Sequence, residues 1–380
     1  MKQLQVKHAI VGAGAMGAAA AYHLARRGEP VLLVEQFAIG HDRGSSHGAA
    51  RITRHSYADP NYARLMPAAF RAWRDLEADA GRPLYVRTGG VSISPVGEDY
   101  VAQVVDNLQA LEIPHRRMTG AEWNWANPAF GVAASHDVVF EPDAGMLTAA
   151  KAVMLQVELA RLRGGERTMV LAEAPVRRID LEGPRPVLLT DDLAITADRL
   201  IVSAGAWVKR LLPNLPVTLE VTRQQVLYFR PADPAPFEIG RFPVFIYKGP
   251  GALDAFYGMP SFQGLGVKVA RHWGSEVDPD LEDRQIAGDY RTVVRDFLRE
   301  HIPALAEAPI DLTEVCLYTV EPEERFSVDF LTGRDDVIVA SPCSGHGFKF
   351  SCLIGRVLAD LAADGETSVE IGPWRIDRAS

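Results

Sequence analysis

Residues 8 to 36, HAIVGAGAMGAAAAYHLARRGEPVLLVEQ, constrain the fold more than any other stretch of the chain. They read as an apolar strand, a Gly-x-Gly-x-x-Gly turn, an Ala-rich helix and a second strand, the βαβ unit that holds a dinucleotide. Gly12 permits the tight turn, Gly14 lets the backbone approach a pyrophosphate, and Gly17 lets the helix settle against the strand. The free N–H groups at the start of that helix face the phosphate oxygens, and the helix dipole adds to the attraction. Glu35, about 20 residues further on, ends the second strand where a carboxylate accepts both ribose hydroxyls.

Lys2 and Lys7 ahead of an Ala- and Gly-rich run imitate a signal peptide. The glycines fall at the fingerprint spacing and the run continues into the second strand, so cleavage would remove the nucleotide site. The segment is read as mature protein. A chain of 380 residues has room for two lobes, each with its own core. Its 47% hydrophobic and 23% charged content is that of an ordinary globular protein. The net charge of -9 offers no footprint for nucleic acid or an anionic membrane surface. No run of about 20 apolar residues is present, so no transmembrane helix is expected. Three cysteines, Cys316, Cys343 and Cys352, form no Cys-x-x-Cys pair. They fit a reducing cytoplasm, and no metal is expected.

The segment 40–60, GHDRGSSHGAARITRHSYADP, is polar and punctuated by small residues, as backbone running close to a ligand would be. A helix is expected over 61–80, kinked or divided at Pro67, followed by a strand at 89–94 and helices at 97–111 and 144–163. The strand at 200–202 runs into Ser203-Ala204-Gly205, a second place where an apolar strand presents backbone to a nucleotide. From 217 to 330 short alternating strands predominate, with a helix near 282–300. A strand at 337–340, a glycine turn at 344–348 and an Ala- and Leu-rich helix close the chain. The fold expected is α/β plus antiparallel β: a Rossmann-type FAD-binding lobe (1–85, 145–216, 331–380) and a mostly antiparallel-sheet substrate lobe (86–144, 217–330).

Several blocks occur in order: Gly44-Ser45-Ser46-His47-Gly48 with Arg51 and Arg54, Tyr257-Gly258-Met259-Pro260 with Lys268, Cys316-Leu317-Tyr318, and Ser344-Gly345-His346-Gly347-Phe348-Lys349. Together with the fingerprint the chain resembles, over essentially its whole length, the monomeric sarcosine oxidase family, which includes N-methyltryptophan and pipecolate oxidases. The resemblance implies an FAD oxidase of secondary amino acids that turns dioxygen into hydrogen peroxide, with the flavin attached through its 8α carbon to Cys316. It implies Arg54 and Lys349 as partners of the substrate carboxylate, Lys268 as the cation serving dioxygen, and Tyr57, Tyr257, His272 and Tyr318 as the lining of the substrate cavity. Ser45, His47, Arg51, Gly345, Gly347 and Phe348 would sit against the flavin. The expected partners are an amino acid and dioxygen, with no nucleic acid and no membrane, in a monomer or small homo-oligomer.

The chemistry is consistent with those roles. A substrate carboxylate taken out of water needs cationic donors, and amine oxidation needs the substrate held in one pose. A cation such as Lys349 in the first turn of a helix opposes the helix dipole, which an anion nearby would relieve. Ser46 and Ala50 depart from the sarcosine oxidase pattern, and the Ser-Ser-His-Gly form is closer to pipecolate oxidases, which leaves the substrate open. A dehydrogenase using another acceptor and a non-catalytic nucleotide-binding protein are the rival readings; fold alone does not exclude either.

Overall fold

The computed structural model describes residues 1–251, 253–281 and 283–376. Its first large sheet grows around the strand Lys2–Val11, whose last four residues are buried and last three apolar. On one side it pairs in parallel with Val31–Val34, which pairs with Thr168–Leu171; on the other it pairs in parallel with Leu193–Val202, which pairs with Arg334–Ser341. Antiparallel strands finish the edges, including Ser327–Leu331 on Arg334–Ser341. Parallel strands need helices on their faces. The helix Ala15–Arg26 supplies one, with Ala18 to Ala21 fully buried. Its small side chains let it pack against both Ala149–Gly164 and the late helix Ser351–Asp364. A Cβ on Gly355 would fall 2.3 Å from that of Ala19, so these helices are in backbone-limited contact.

The second sheet also has eight strands, in the order 310–320, 220–229, 267–271, 255–259, 244–248, 90–94, 137–141 and 116–119. All neighbours are antiparallel except 244–248 with 90–94. A core of Phe, Val and Leu, with Phe237, Phe242 and Phe245 almost fully buried, packs beneath it with the helix Tyr290–His301. A three-stranded sheet of 51–53, 145–147 and 85–87 completes the structure.

Several expected elements differ from those found. Pro67 neither ends nor divides its helix, which runs unbroken over Pro60–Ala80. The Asp59 side chain caps its start, Gly81 closes it at φ +63°, and a buried stripe of Met66, Phe70, Trp73 and Leu76 outweighs the one lost backbone bond. The helix expected from 144 begins at Ala149, because Gly145–Leu147 pairs with two short strands. The helix expected at 97–111 occupies Tyr100–Ala110. The one expected near 282 begins at Tyr290; residue 282 lies outside the described residues. We propose one lobe on each large sheet. The division suggested at 330 falls inside the strand Ser327–Leu331, which belongs with the first sheet, and residues 377–380 of the first lobe lie outside the described residues.

Candidate active site

One cavity of about 1320 Å³ runs between the sheets, larger than a drug-sized ligand requires (about 300–1000 Å³). It is lined at one end by Gly12, Gly14 and Glu35, and at the other by Arg54, Tyr257, His272, Tyr318 and Lys349. Gly12 adopts φ +96°, and a Cβ there would lie 2.5 Å from the Ser203 carbonyl oxygen. Gly17 does not line the cavity: its added Cβ would meet the Gly12 carbonyl at 1.8 Å, so it fixes how closely helix and turn approach. The Glu35 carboxylate accepts hydrogen bonds from the backbone N–H groups of Ala13 (2.7 Å) and Phe37 (3.0 Å). Burial opposes its ionisation, but those bonds and His41 hold its pKa below the usual range. It is therefore an acceptor, as ribose hydroxyls require.

Toward the middle of the cavity the glycine- and serine-rich segment folds over the second sheet. The Ser45 hydroxyl donates to the Leu317 carbonyl, and the Arg51 guanidinium donates to the carbonyls of Ser45 and Ala50, both at 3.0 Å. Ser46 Oγ accepts from the Ala15 N–H at 3.0 Å. His47 Nε2 is buried without a hydrogen-bond partner, and burial together with Arg51 lowers its pKa to about 4. A buried orphan nitrogen beside glycine-rich backbone is what a polar ring system with its own donors and acceptors would satisfy. Gly345 (φ +75°) brings backbone into the same region; a Cβ there would fall 2.6 Å from both His272 Cε1 and Tyr318 Cε2. Gly347 is tighter still, with Pro342 O at 1.5 Å from its added Cβ. Phe348 lines the wall beside Arg51.

At the far end stand two cations, the buried Lys349 and the half-buried Arg54. Lys349 Nζ donates to the Tyr57 hydroxyl and to the His346 carbonyl, both at 2.8 Å. Arg54 lies over the Tyr57 ring at 4.6 Å, and its Nη1 is buried with no hydrogen-bond partner. Neither cation has an ion-pair partner among the described residues. Burial, then Arg54, push the Lys349 pKa well below its ordinary value. An entering carboxylate would relieve both penalties.

Lys268 and Cys316 are brought near Arg51 and each other without lining the main cavity. Lys268 is 4% exposed and sits over the Tyr228 ring, its neighbour across the strand pairing. Burial, then Arg51, lower its pKa to about 8, against the opposing pull of Glu314. Cys316 is buried two residues before Tyr318 on the same strand, hence on the same sheet face. Burial pushes its thiol pKa up, with Arg51 and Lys268 pulling the other way. Three carboxylates around the site were not foreseen from sequence: Glu141, Glu314 and Glu324. No motif or spacing distinguishes them among 49 acidic residues.

A parallel-sheet lobe whose first turn is shaped for a pyrophosphate, joined to a second sheet across one deep cavity, defines a dinucleotide-dependent protein of two lobes. Comparison with known proteins agrees and narrows it. Residues 7–361 match the model of the family described as FAD dependent oxidoreductase. The chain belongs to that family. It is 34% identical to the monomeric sarcosine oxidase of Bacillus sp. (strain B-0618), covering 97% of this chain and 95% of the relative. It is 31% identical to the N-methyl-L-tryptophan oxidase of Salmonella arizonae, covering 98% of each. Among solved structures, the amino acid oxidase NikD superposes with a TM-score of 0.85 over 98% of this chain and 97% of that one, at 21% identity, a likeness of fold. The protein is an FAD-dependent oxidoreductase, and the cradle at Gly12, the Glu35 acceptor and the unpartnered His47 fit that cofactor.

Proposed function

We propose that the protein oxidises a secondary amino acid, whether sarcosine, another N-methyl amino acid or a cyclic imino acid. The products are an imine, which water hydrolyses, and hydrogen peroxide from dioxygen. The observation that carries this reading is the pair of cations without an anionic partner among the described residues, the half-buried Arg54 and the buried Lys349, in the same cavity as the dinucleotide cradle. Bound FAD would supply the two-electron acceptor for the amine and the two-electron donor for dioxygen. Gly12, Gly14 and Glu35 would hold its adenosine and pyrophosphate end, with Gly17 setting the helix against that turn, while Ser45, His47, Arg51, Gly345, Gly347 and Phe348 would hold the ring. Cys316 would anchor it through a thioether. Arg54 and Lys349 clamp the substrate carboxylate, and Tyr257, His272 and Tyr318 enclose its carbon and nitrogen. His272 stays neutral, since burial, then Lys248, lower its pKa to about 3. It shapes the cavity rather than carrying a proton. Lys268 supplies positive charge beside the place where dioxygen gains electrons.

The test is direct. Anaerobic addition of sarcosine, N-methyl-L-tryptophan, L-pipecolate or L-proline should bleach the yellow band, and air should restore it with one peroxide per amine. Bleaching without peroxide in air would replace the oxidase by a dehydrogenase; no bleaching with any of them would remove the proposed reaction. The denatured protein should run as a fluorescent band on a gel, and Cys316→Ser should run dark.

A further inference from the structure

Beyond the carboxylate clamp, the cavity wall carries one acidic side chain placed with unusual care. Glu324 lines the cavity, yet its backbone adopts φ +57°, a left-handed conformation that a glutamate enters only at a cost. Its own N–H donates to the Glu321 carbonyl at 2.8 Å, and its carbonyl accepts from the Tyr62 hydroxyl (3.3 Å) and from His346 Nε2 (3.0 Å). His346 is held neutral by burial, then by Lys349. Its tautomer follows: with Nε2 donating to Glu324, Nδ1 accepts from the Tyr57 hydroxyl at 3.0 Å, and that hydroxyl accepts from Lys349. One directional chain of hydrogen bonds therefore fixes the distance between the carboxylate clamp and Glu324.

The Glu324 carboxylate itself receives no hydrogen bond among the described residues. Its side chain is 33% exposed, and its nearest charged-type neighbour is His272 Nε2 at 3.8 Å, too far for a hydrogen bond and neutral. Lys248, an exposed residue that also lines the cavity, forms no ion pair with it; its ammonium stands over the Tyr100 ring at 5.1 Å. Burial raises the Glu324 pKa, with Lys248 opposing. A partly dehydrated carboxylate, rigidly spaced from an anion clamp and lacking a donor, is matched by a ligand with a cationic nitrogen several bonds from its own carboxylate.

We infer that Glu324 determines specificity by taking a positively charged nitrogen at the end of the substrate side chain, so that the preferred substrates are N-alkyl amino acids with basic side chains. This rests on the amino acid oxidation proposed above and names its substrate class.

The experiment compares α-N-methyl-L-lysine with its neutral near-isostere α-N-methyl-L-norleucine and with α-N-methyl-L-glutamate, all on the holoenzyme. The lysine compound should exceed norleucine in kcat/KM by about tenfold or more, a charged hydrogen bond discounted for partial exposure. Glu324→Gln should bring that ratio within about twofold, Glu324→Asp should leave it intermediate, and Glu323→Gln, which removes a neighbouring exposed charge, should preserve it. Norleucine equal to lysine in the unaltered enzyme, a ratio that survives Glu324→Gln, or a preference for glutamate would each overturn the inference. Flavin content and circular dichroism of the variants show whether the fold is retained. If no compound bleaches the flavin, the proposed oxidation fails by itself. The same three compounds are then ranked by their perturbation of flavin absorption, where tighter binding of the lysine compound, lost in Glu324→Gln, is still required.

Discussion

A buried ammonium keeps its proton only as firmly as its neighbours allow, and around Lys268 they pull in opposite directions. Burial and Arg51 lower its pKa to about 8 while Glu314, itself accepting from the Tyr228 hydroxyl at 2.7 Å, raises it. The lysine is thus cationic below about pH 8 and neutral above. If the charge serves dioxygen, the rate of flavin reoxidation should fall as pH rises through that value, while anaerobic reduction by amine should not follow the same curve. Glu314→Gln should move the fall to lower pH, as stopped-flow reoxidation across pH will reveal. Lys268→Met should slow reoxidation by about 10²–10³-fold. At the clamp, Arg54→Gln should weaken substrate binding by about 1.5–3 kcal/mol per charged hydrogen bond lost, read as a rise in KM. Arg54, Lys349, His47 and Glu35 were legible in the sequence because each sits within a glycine-punctuated block of fixed order. Glu314 and Glu324 were not, because what makes them notable is the company brought to them by strands and turns remote in sequence.

At the scale of elements, glycines separate by what they touch. Gly17→Ala would push a methyl into the Gly12 carbonyl at 1.8 Å and distort the turn that holds the pyrophosphate. It should yield protein poor in flavin, measured as the ratio of visible to ultraviolet absorbance. Gly365→Ala places its methyl in open space at φ +82°, so only backbone strain of about 1 kcal/mol is expected, with flavin content retained and a small loss in thermal midpoint. The same contrast explains which elements were readable. The fingerprint unit and the amphipathic helix Pro60–Ala80 follow from local periodicity and caps. The strand Gly145–Leu147 does not, since it exists only by pairing with Arg51–Thr53 and Tyr85–Arg87, and tertiary partners overrode the helical pattern that begins just after it.

At the scale of the molecule, the segment carrying Arg54 is tied to the second sheet by Glu141, at the end of the strand Asp137–Glu141 and fully buried. Its carboxylate accepts from the backbone N–H groups of His55 (2.9 Å) and Ser56 (3.0 Å), from His55 Nδ1 (2.6 Å) and from the Ser56 hydroxyl. Burial opposes its ionisation, yet these donors hold its pKa below the usual carboxylate range. A depressed carboxylate stabilises the fold above its unfolded pKa, and that contribution is lost as pH falls through the folded value. Acid should therefore loosen the Arg54 segment. Glu141→Ala, which strands several buried donors, should destabilise by about 3–5 kcal/mol in denaturant titrations. The first helix, Ala15–Arg26, makes one of its two main packing contacts with the helix Ser351–Asp364, and the first strand reaches Arg334–Ser341 through Leu193–Val202. On the ribosome, this part of the nucleotide lobe cannot close before the helix Ser351–Asp364 has emerged. A nascent chain stalled before Ser351 should therefore leave the fingerprint exposed to protease whatever the flavin supply.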